Sequence, residues 1–501
     1  MQMSMSRTVV LILLMFWELN NPIMAQSHAR AGTPIVISHV MIIDATGSPA
    51  MPEMSVEILG DRIVAIEATR TFHAPAQALL IDAKGKFLIP GLWDMHVHTG
   101  KREVFFPLYL ANGITGIRDM GGDVEDSADG LSTRYVNLAI WRKSIERGDL
   151  IGPRMIISGY LIDGYPWPGD VSPSGPSEAR AIVDALHDMG VDFIKVKSFL
   201  PRDSYLAVAD EARREHIAFA GHVPDSVPVE EASSAGQKSI EHLTGVALGC
   251  SLEEASLIKK LGDAFAARDR ARYSQVQVQA RSTFDERKAA TLFNLFVHNG
   301  TWQVPTLVEL RRRSMGIPRS ETSDPKWEYI PRGLRSAWEK AASEEADPSM
   351  REAFPSALSL TRQMHTAGVG FMAGTDSPNP SIVPGFSLHE ELKLLVAAGF
   401  TPMEALQTAI RNPARYLQRE SDLGTIEVGK LADMVLLSAN PLDDISNTRA
   451  ISAVIVDGAT STVQRLIPCC KVPNSLRSRY WRRITFPPGW IQPLRSSKPR
   501  R

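Results

Sequence analysis

The chain has 501 residues, of which 44% are apolar, and a formal net charge of −1. A near-neutral balance gives no long-range field that would attract nucleic acid or an anionic membrane, so neither is expected as a partner. The three cysteines include no Cys-x-x-Cys pair, and therefore support neither a disulfide framework nor a thiolate metal site.

Segment 1–25 has the layout of a secretory signal peptide. Arg7 precedes an apolar run over residues 8–17, and Ala25 supplies a small residue at the cleavage position. The run is about half as long as the roughly 20 residues that a membrane-spanning helix needs. We predict an exported protein, secreted or periplasmic, with no stable membrane insertion after signal cleavage. An uncleaved N-terminal anchor is the alternative.

Segments 34–90 and 419–458 have the residue pattern of short β-strands separated by turns. Strand candidates include residues 35–37, 40–43 and 434–437. We predict one small β-sandwich domain formed from both ends of the chain. The remaining segment, 459–501, contains ten Lys or Arg and no Asp or Glu. It is predicted to be a basic tail without a packed role; disorder or contact with an acidic surface are the alternatives.

Residues 91–418 alternate strand-like runs with helix-like stretches, which predicts an α/β fold with a parallel sheet. The strand candidates are residues 155–157, 192–196, 218–222, 239–242, 303–308 and 370–373. Repetition over this length favours a closed (β/α)₈ TIM barrel, which places catalytic groups at the carboxyl ends of its strands. The long stretch 252–364 is predicted to add helices near the mouth of the barrel.

Two histidines follow an apolar run in the segment Met95-His96-Val97-His98. Residues two apart on a strand point to the same side, so His96 and His98 can face one cavity. Two imidazoles so placed can bind one zinc ion. Alone, the pattern is a weak signal, and two ordinary histidines are the favoured interpretation of it.

Four further residues each end a strand candidate: Lys195, His222, His242 and Asp376. Lys195 is the most informative, because its apolar neighbours would make an unpaired buried cation costly. Pairing, loss of the proton or conversion to a carbamate with carbon dioxide would relieve that cost. A carbamate would be an anionic ligand able to bridge two metal ions. Lys197 has the same strand parity and is the alternative.

The order of these residues resembles the amidohydrolase superfamily, in particular its imidazolonepropionase-like branch related to Xaa-Pro and Xaa-Arg dipeptidases. The resemblance covers roughly residues 34–458, and the sequence departs from the family after Gly458. The matching passages include IPGLWDMHVH (89–98), GITGIRDMGG (113–122), VDFIKV (191–196), GHVPDS (221–226), SIEHLTG (239–245), AGTDSPNP (373–380) and GTIEVGKLADMVLL (424–437).

The resemblance implies a site for two divalent ions, with zinc favoured. One ion would be held by His96, His98 and Asp376, the other by His222 and His242, with carbamylated Lys195 bridging them. The implied activity is hydrolysis of a carbon–nitrogen bond in a small molecule, such as a dipeptide or an N-acyl amino acid. A metal-bound hydroxide would attack, and Asp376 would act as general base and then as general acid.

Two residues are weaker candidates for substrate binding. Arg118 could bind a substrate carboxylate, although an ion pair with Asp119 is an equal alternative. Tyr160 could donate to a carbonyl oxygen, although core packing is an equal alternative. For the function, the alternatives are a cyclic-amide or lactone hydrolase and a non-catalytic barrel that binds a ligand. A homo-oligomer is left open.

Overall fold

The computed structural model describes residues 32–121, 135–165, 169–343, 351–457 and 459–462. The predicted signal peptide lies outside the described residues, as does the basic tail beyond residue 462. Among the described residues, no helix combines the length and apolarity that crossing a bilayer requires.

The described elements are mixed α and β. The strands are β1 (Ile35–Ile42), β2 (Met51–Leu59), β3 (Arg62–Ala68), β4 (Leu79–Asp82), β5 (Phe87–Pro90), β6 (Leu92–Val97), β7 (Ile114–Asp119), β8 (Arg154–Ile157), β9 (Leu161–Ile162), β10 (Asp170–Val171), β11 (Phe193–Val196), β12 (Ala218–Gly221), β13 (Ser239–Glu241), β14 (Trp302–Val304), β15 (Met434–Leu437), β16 (Ile451–Val456) and β17 (Ala459–Thr462).

The α-helices are α1 (Arg102–Ala111), α2 (Tyr135–Glu146), α3 (Pro176–Asp188), α4 (Arg202–Arg214), α5 (Val229–Ser234), α6 (Val246–Gly249), α7 (Glu254–Ala266), α8 (Arg270–Ser282), α9 (Glu286–Asn299), α10 (Leu307–Met315), α11 (Arg332–Ser343), α12 (Ala353–Thr366), α13 (Phe386–Ala397), α14 (Pro402–Thr408) and α15 (Arg411–Tyr416). Short 3₁₀ helices cover Arg319–Ser323, Pro325–Tyr329 and Ile445–Arg449. Six of the α-helices, α7 to α12, lie within or overlap the long stretch 252–364 that was predicted to add helices.

Strands from both ends of the chain share one sheet, in the order β17-β16-β15-β5-β1-β2-β3, with β4 paired to β1. The two ends meet where β15 pairs antiparallel with β5. Side chains on a strand alternate between its faces, and β15 uses both. Met434 and Leu436 pack into the core of this sheet, whereas Val435 and Leu437 pack into the main core of the chain. Within the described parts of the chain, these strands form one sheet without an assigned second layer, so the two-layer sandwich stays a prediction.

The middle of the chain contains two parallel sheets, β6-β7-β8 and β10-β9-β11-β12-β13-β14. Hydrogen bonds join their edges. The Asp192 amide donates to the Ile157 carbonyl at 2.8 Å, which links β8 to the start of β11. Gln303 of β14 bridges Phe371 in parallel, and the Met95 amide of β6 donates to the Ala373 carbonyl at 2.9 Å. Segment 370–376 thus lies between β14 and β6.

The main core forms where helices cover these parallel strands. All residues of β6, β7 and β11 are buried, as expected for strands covered on both faces. Helices contribute apolar faces, represented by Phe105 of α1, Val183 of α3, Val208 of α4 and Leu392 of α13. The strand ends are thereby held in fixed positions, with their carboxyl termini available to carry polar side chains.

Candidate metal centre

The predicted metal-binding residues meet at the carboxyl ends of the parallel strands. His96 lies near the end of β6, and His98 follows that strand. Their Nε2 atoms lie 3.3 Å and 3.2 Å from Asp376 Oδ1, and His242 Nε2 lies 3.9 Å from Asp376 Oδ2. His96, His98 and Asp376 offer ligand atoms that all lie within 4.8 Å of one another.

The remaining two residues adjoin this group. The ring of His222 lies 5.0 Å from that of His242, which lies 4.5 Å from that of His96. Lys195 of β11 stands opposite Ala220 of β12, and Asp376 acts electrostatically on its ammonium group. The six positions that the sequence predicted are therefore close neighbours in the structure.

Each of the four histidines has a fixed orientation, because its Nδ1 atom contacts a neighbouring oxygen. The partners are Glu241 Oε2 for His96 at 2.8 Å, the Gly121 carbonyl for His98 at 2.8 Å, Ser198 Oγ for His222 at 2.7 Å, and Thr306 Oγ1 for His242 at 2.6 Å. With Nδ1 engaged, Nε2 is the atom that each ring can offer to a metal ion. Contacts of this kind orient the ligands of metal sites in general.

Two nitrogen atoms of the predicted ligands are buried without a hydrogen-bond partner among the described residues: His96 Nε2 and Lys195 Nζ. Leaving such a group unsatisfied costs about 1–3 kcal/mol. A metal ion at His96, and a carbamate at Lys195, would remove both deficits, so the residues present fit a binuclear metal site. Lys197 behaves differently, since its Nζ lies 2.6 Å from Asp170 Oδ2. The geometry therefore favours Lys195 over Lys197.

The pKa shifts of four proposed ligands agree with metal-binding forms, and that of His98 is opposite in direction. Burial would lower the pKa of His98, but its hydrogen bond with the Asp376 carboxylate raises it. Burial lowers the pKa of His222 and His242 well below the usual range, which keeps both imidazoles neutral. Burial alone would raise the pKa of Asp376, but its interactions with His242 and the other neighbouring imidazoles hold it well below its usual value, as a carboxylate. Burial lowers the pKa of Lys195 to about 8, so its neutral amine is accessible near neutral pH. Neutral imidazoles and carboxylates are the forms that bind zinc.

Sequence reasoning missed Glu241, the residue just before His242. Its Oε2 contacts His96, and its Oε1 accepts from Arg118 at 2.8 Å. Burial would raise the pKa of Glu241, but Arg118 and His96 hold it below its usual value. The sequence feature that could have identified Glu241 is the alternation of side chains along β13, which places Ser239 and Glu241 on the same inward face.

The prediction that Arg118 binds a substrate carboxylate is wrong, because its side chain is completely buried. Its remaining donors contact the Met95 carbonyl, Ser239 Oγ and Tyr416 Oη at 2.7–2.9 Å. The alternative of an ion pair with Asp119 is also wrong. The Asp119 carboxylate instead accepts from the amides of Thr99 and Gly121.

Tyr160 follows β8, where it is half-buried and packs against the main core. It is not among the residues that line the cavity described below. Its role in substrate binding stays a prediction.

Asp94 is a second buried carboxylate that sequence reasoning did not single out. It accepts from the amide and hydroxyl of Thr375 at 3.0 Å and 2.7 Å, and from the His96 amide at 3.3 Å. Burial raises its pKa to about 7. These contacts connect β6 to segment 370–376 and fix His96 relative to Asp376.

A cavity of about 480 Å³ opens beside His222 and His242. Much of its wall comes from helices of the long stretch 252–364, which therefore lie beside the site. The wall is mainly apolar, and Arg281 and Arg313 add positive charge. A pocket of this size and character, next to convergent polar groups, is typical of a site for a small molecule.

The role of Arg118 can be tested by an Arg118→Met variant. Because Glu241 would remain buried without its cation, we expect the free energy of unfolding to fall by about 3–5 kcal/mol. The matched control is Arg147→Met, which removes an exposed ion pair with Asp149 and should cost at most about 1 kcal/mol. Chemical denaturation measures both. An Arg118 variant as stable as the control would contradict a structural role.

Comparison with known proteins identifies the family. Residues 87–460 match the amidohydrolase family. Ochratoxinase from Aspergillus niger is 24% identical over 415 residues, which cover 72% of this chain and 71% of that protein. A putative prolidase from Bifidobacterium longum has a TM-score of 0.63 at 24% identity, over 88% of this chain and 99% of its own. Bottromycin amidohydrolase has a TM-score of 0.64 at 22% identity, over 90% of this chain and 92% of its own. The chain belongs to the amidohydrolase family and is a hydrolase that acts on carbon–nitrogen bonds.

Proposed function

We propose that this chain is a binuclear metal-dependent amidohydrolase that cleaves the carbon–nitrogen bond of a dipeptide or an N-acyl amino acid. The observation that carries the proposal is the convergence of four oriented imidazoles, one carboxylate and one unpartnered buried lysine. The names of the structural neighbours, a putative prolidase and Bottromycin amidohydrolase, agree with an amide or peptide substrate.

We also propose that residues 91–418 form a closed (β/α)₈ barrel and that 34–90 with 419–458 form a β-sandwich. The barrel is supported by hydrogen bonds that run from β6 through β7, β8, β11, β12, β13 and β14 to segment 370–376 and back to β6. The sandwich is supported by the pairing of β15 with β5. Export, from the layout of segment 1–25, is proposed on the sequence alone.

The first ion would be held by His96, His98 and Asp376, and the second by His222 and His242, with Lys195 as the bridge. When bound, two divalent ions, with zinc favoured, supply the charge that lowers the pKa of an attacking water and polarises the scissile carbonyl.

Lys195 prepares the bridge through its neutral amine. The nitrogen forms a bond to the carbon of carbon dioxide and releases a proton, which gives an anionic carbamate. Burial favours the neutral amine, since it lowers the pKa of Lys195 to about 8. The carbamate would convert a costly buried cation into an anion beside cationic ions.

Asp376 would move the proton during hydrolysis. Its two oxygens lie within 3.2–3.9 Å of three imidazoles, and its low pKa keeps it ionised before the reaction. It would accept the proton of the attacking water and return it to the leaving nitrogen. Glu241 keeps the His96 ring in place during this transfer.

The direct test supplies the purified protein with zinc and bicarbonate and assays a panel of N-acyl amino acids and dipeptides. We expect cleavage of members of this panel, and an Asp376→Asn variant should lower kcat by about 100- to 10,000-fold, because proton transfer is lost. Asp188→Asn, on the exposed face of α3, is the matched control. No cleavage by the wild type would overturn the proposed reaction, and near-normal kcat in Asp376→Asn would remove Asp376 as the proton carrier.

Replacement of Lys195 tests the bridge. We expect Lys195→Ala to lose turnover and bound metal, and short-chain carboxylates such as acetate or propionate to restore part of both by occupying the vacated position. Lys197→Ala is the control, since Lys197 is already paired with Asp170. Metal analysis and initial rates measure the effect. An inactive Lys197→Ala beside an active Lys195→Ala would reverse the assignment.

A further inference from the structure

We propose that Arg313 binds the free carboxylate of the substrate, while the apolar wall of the cavity receives a large apolar group of the same molecule. The proposal rests on the hydrolytic function above and narrows its substrate class. The preferred molecule would be an N-acyl or peptidyl amino acid with an unblocked carboxylate and a bulky apolar side chain. Arg313 would thereby take the role that the sequence suggested for Arg118.

The start of α10 fixes Arg313 relative to the metal-binding residues. Thr306, which contacts His242 Nδ1, immediately precedes this helix. The amides of Leu307 and Val308 donate to the buried carboxylate of Glu391 at 2.9 Å and 2.8 Å. Arg313 follows Leu307 by about 9 Å along the helix axis. It lines the same cavity as His222 and His242.

Arg313 has positive charge available for a ligand. Its Nε donates to Glu309 Oε1 at 2.5 Å, but Arg312 donates to both oxygens of the same carboxylate. One carboxylate therefore serves two guanidinium groups, which leaves an excess positive charge. Half of the Arg313 side chain is exposed, and its terminal nitrogens make no hydrogen bond with the described residues. These nitrogens can donate bidentate hydrogen bonds to a carboxylate.

The other charged residues of the cavity strengthen the preference for an anion. Arg281 is a second cation, and its Nη2 is buried without a hydrogen-bond partner among the described residues. Of the two carboxylates of the wall, Glu254 is paired with Lys288 Nζ at 2.5 Å, whereas Asp225 accepts from the neutral Tyr273 Oη at 2.7 Å and keeps its charge. The two arginines outnumber this one carboxylate, so the net charge of the described wall is positive.

The rest of the wall is apolar. Val227, Leu248, Leu261, Phe284 and Leu360 contribute side chains from separate parts of the chain. Burial of an apolar group against them is favourable at about 25 cal/mol per Å² of surface removed from water. With a volume of about 480 Å³, the cavity can hold a side chain as large as phenylalanine together with its carboxylate.

The test compares N-acetyl-L-phenylalanine with N-acetyl-L-phenylalaninamide by the release of acetate. We expect the wild-type holoenzyme to prefer the acid. Arg313→Met should lower the acid-to-amide ratio of kcat/KM by about 10- to 100-fold, which corresponds to the free energy that hydrogen bonds to a charged group contribute. Arg287→Met is the matched control. It removes an exposed arginine of α9 that does not line the cavity, so the ratio should stay unchanged.

Binding measured by calorimetry on the holoenzyme gives a readout that does not need turnover. We expect 3-phenylpropanoate to bind at least about tenfold more tightly than 3-phenylpropanamide, with most of this preference lost in Arg313→Met and kept in Arg287→Met. A preference that survives Arg313→Met, or a wild type without one, would overturn the role of Arg313. The proposed function would still stand if the panel of amides is cleaved. Failure to cleave the panel would overturn the function instead.

Discussion

The carboxylate of Glu241 occupies the interior between Arg118 and His96, and the geometry of the site depends on it. A buried carboxylate is costly unless it is paired and hydrogen-bonded. Here Arg118 supplies the countercharge and Ser239 Oγ a further hydrogen bond, while the second oxygen contacts His96 Nδ1. The Glu241 carboxylate therefore neutralises the buried Arg118. It also engages Nδ1 of His96, so that Nε2 is the nitrogen that this ring can offer to a metal ion. Loss of either partner would affect both the stability of the core and the orientation of the His96 imidazole.

The other three histidines are oriented by contacts that come from different parts of the chain. Gly121, Ser198 and Thr306 each follow a strand of the parallel sheets. Because the strand ends are held by the main core, the positions of these oxygens are set by the fold. The long stretch 252–364 adds the wall of the cavity to this framework. The strand ends would therefore carry the metal chemistry, and the added helices would select the substrate.

Much of the site could be predicted from the sequence, because strand ends have a local signal. Residues 434–437 were predicted as a strand and form β15, and Lys195, His222 and His242 lie at or just beyond strands as expected. Two predicted strands, 35–37 and 40–43, are instead one strand with a register shift near His39, whose φ is 58°. The strand predicted for 303–308 ends at Val304. The amides of Leu307 and Val308, at the start of α10, instead donate to the side chain of Glu391, which lies far away in the sequence.

The remaining features depend on contacts between distant segments. Arg118 was misassigned because its partner, Glu241, lies on another strand, and no local pattern indicates that pair. Arg313 lies on an added helix, and only the folded chain brings it to the cavity beside His222 and His242. Residue types and spacing thus predicted the six residues that converge at the proposed metal site, whereas their supporting contacts and the neighbouring cavity required the structure.

The most direct test of the account is the metal content of the purified chain after supply of zinc and bicarbonate. The proposed ligand set predicts about two divalent ions per chain. Mass spectrometry of the intact protein under native conditions can measure the ions and the added mass of a carbamate together. A content below about one ion per chain, with Lys195 unmodified, would contradict the binuclear site.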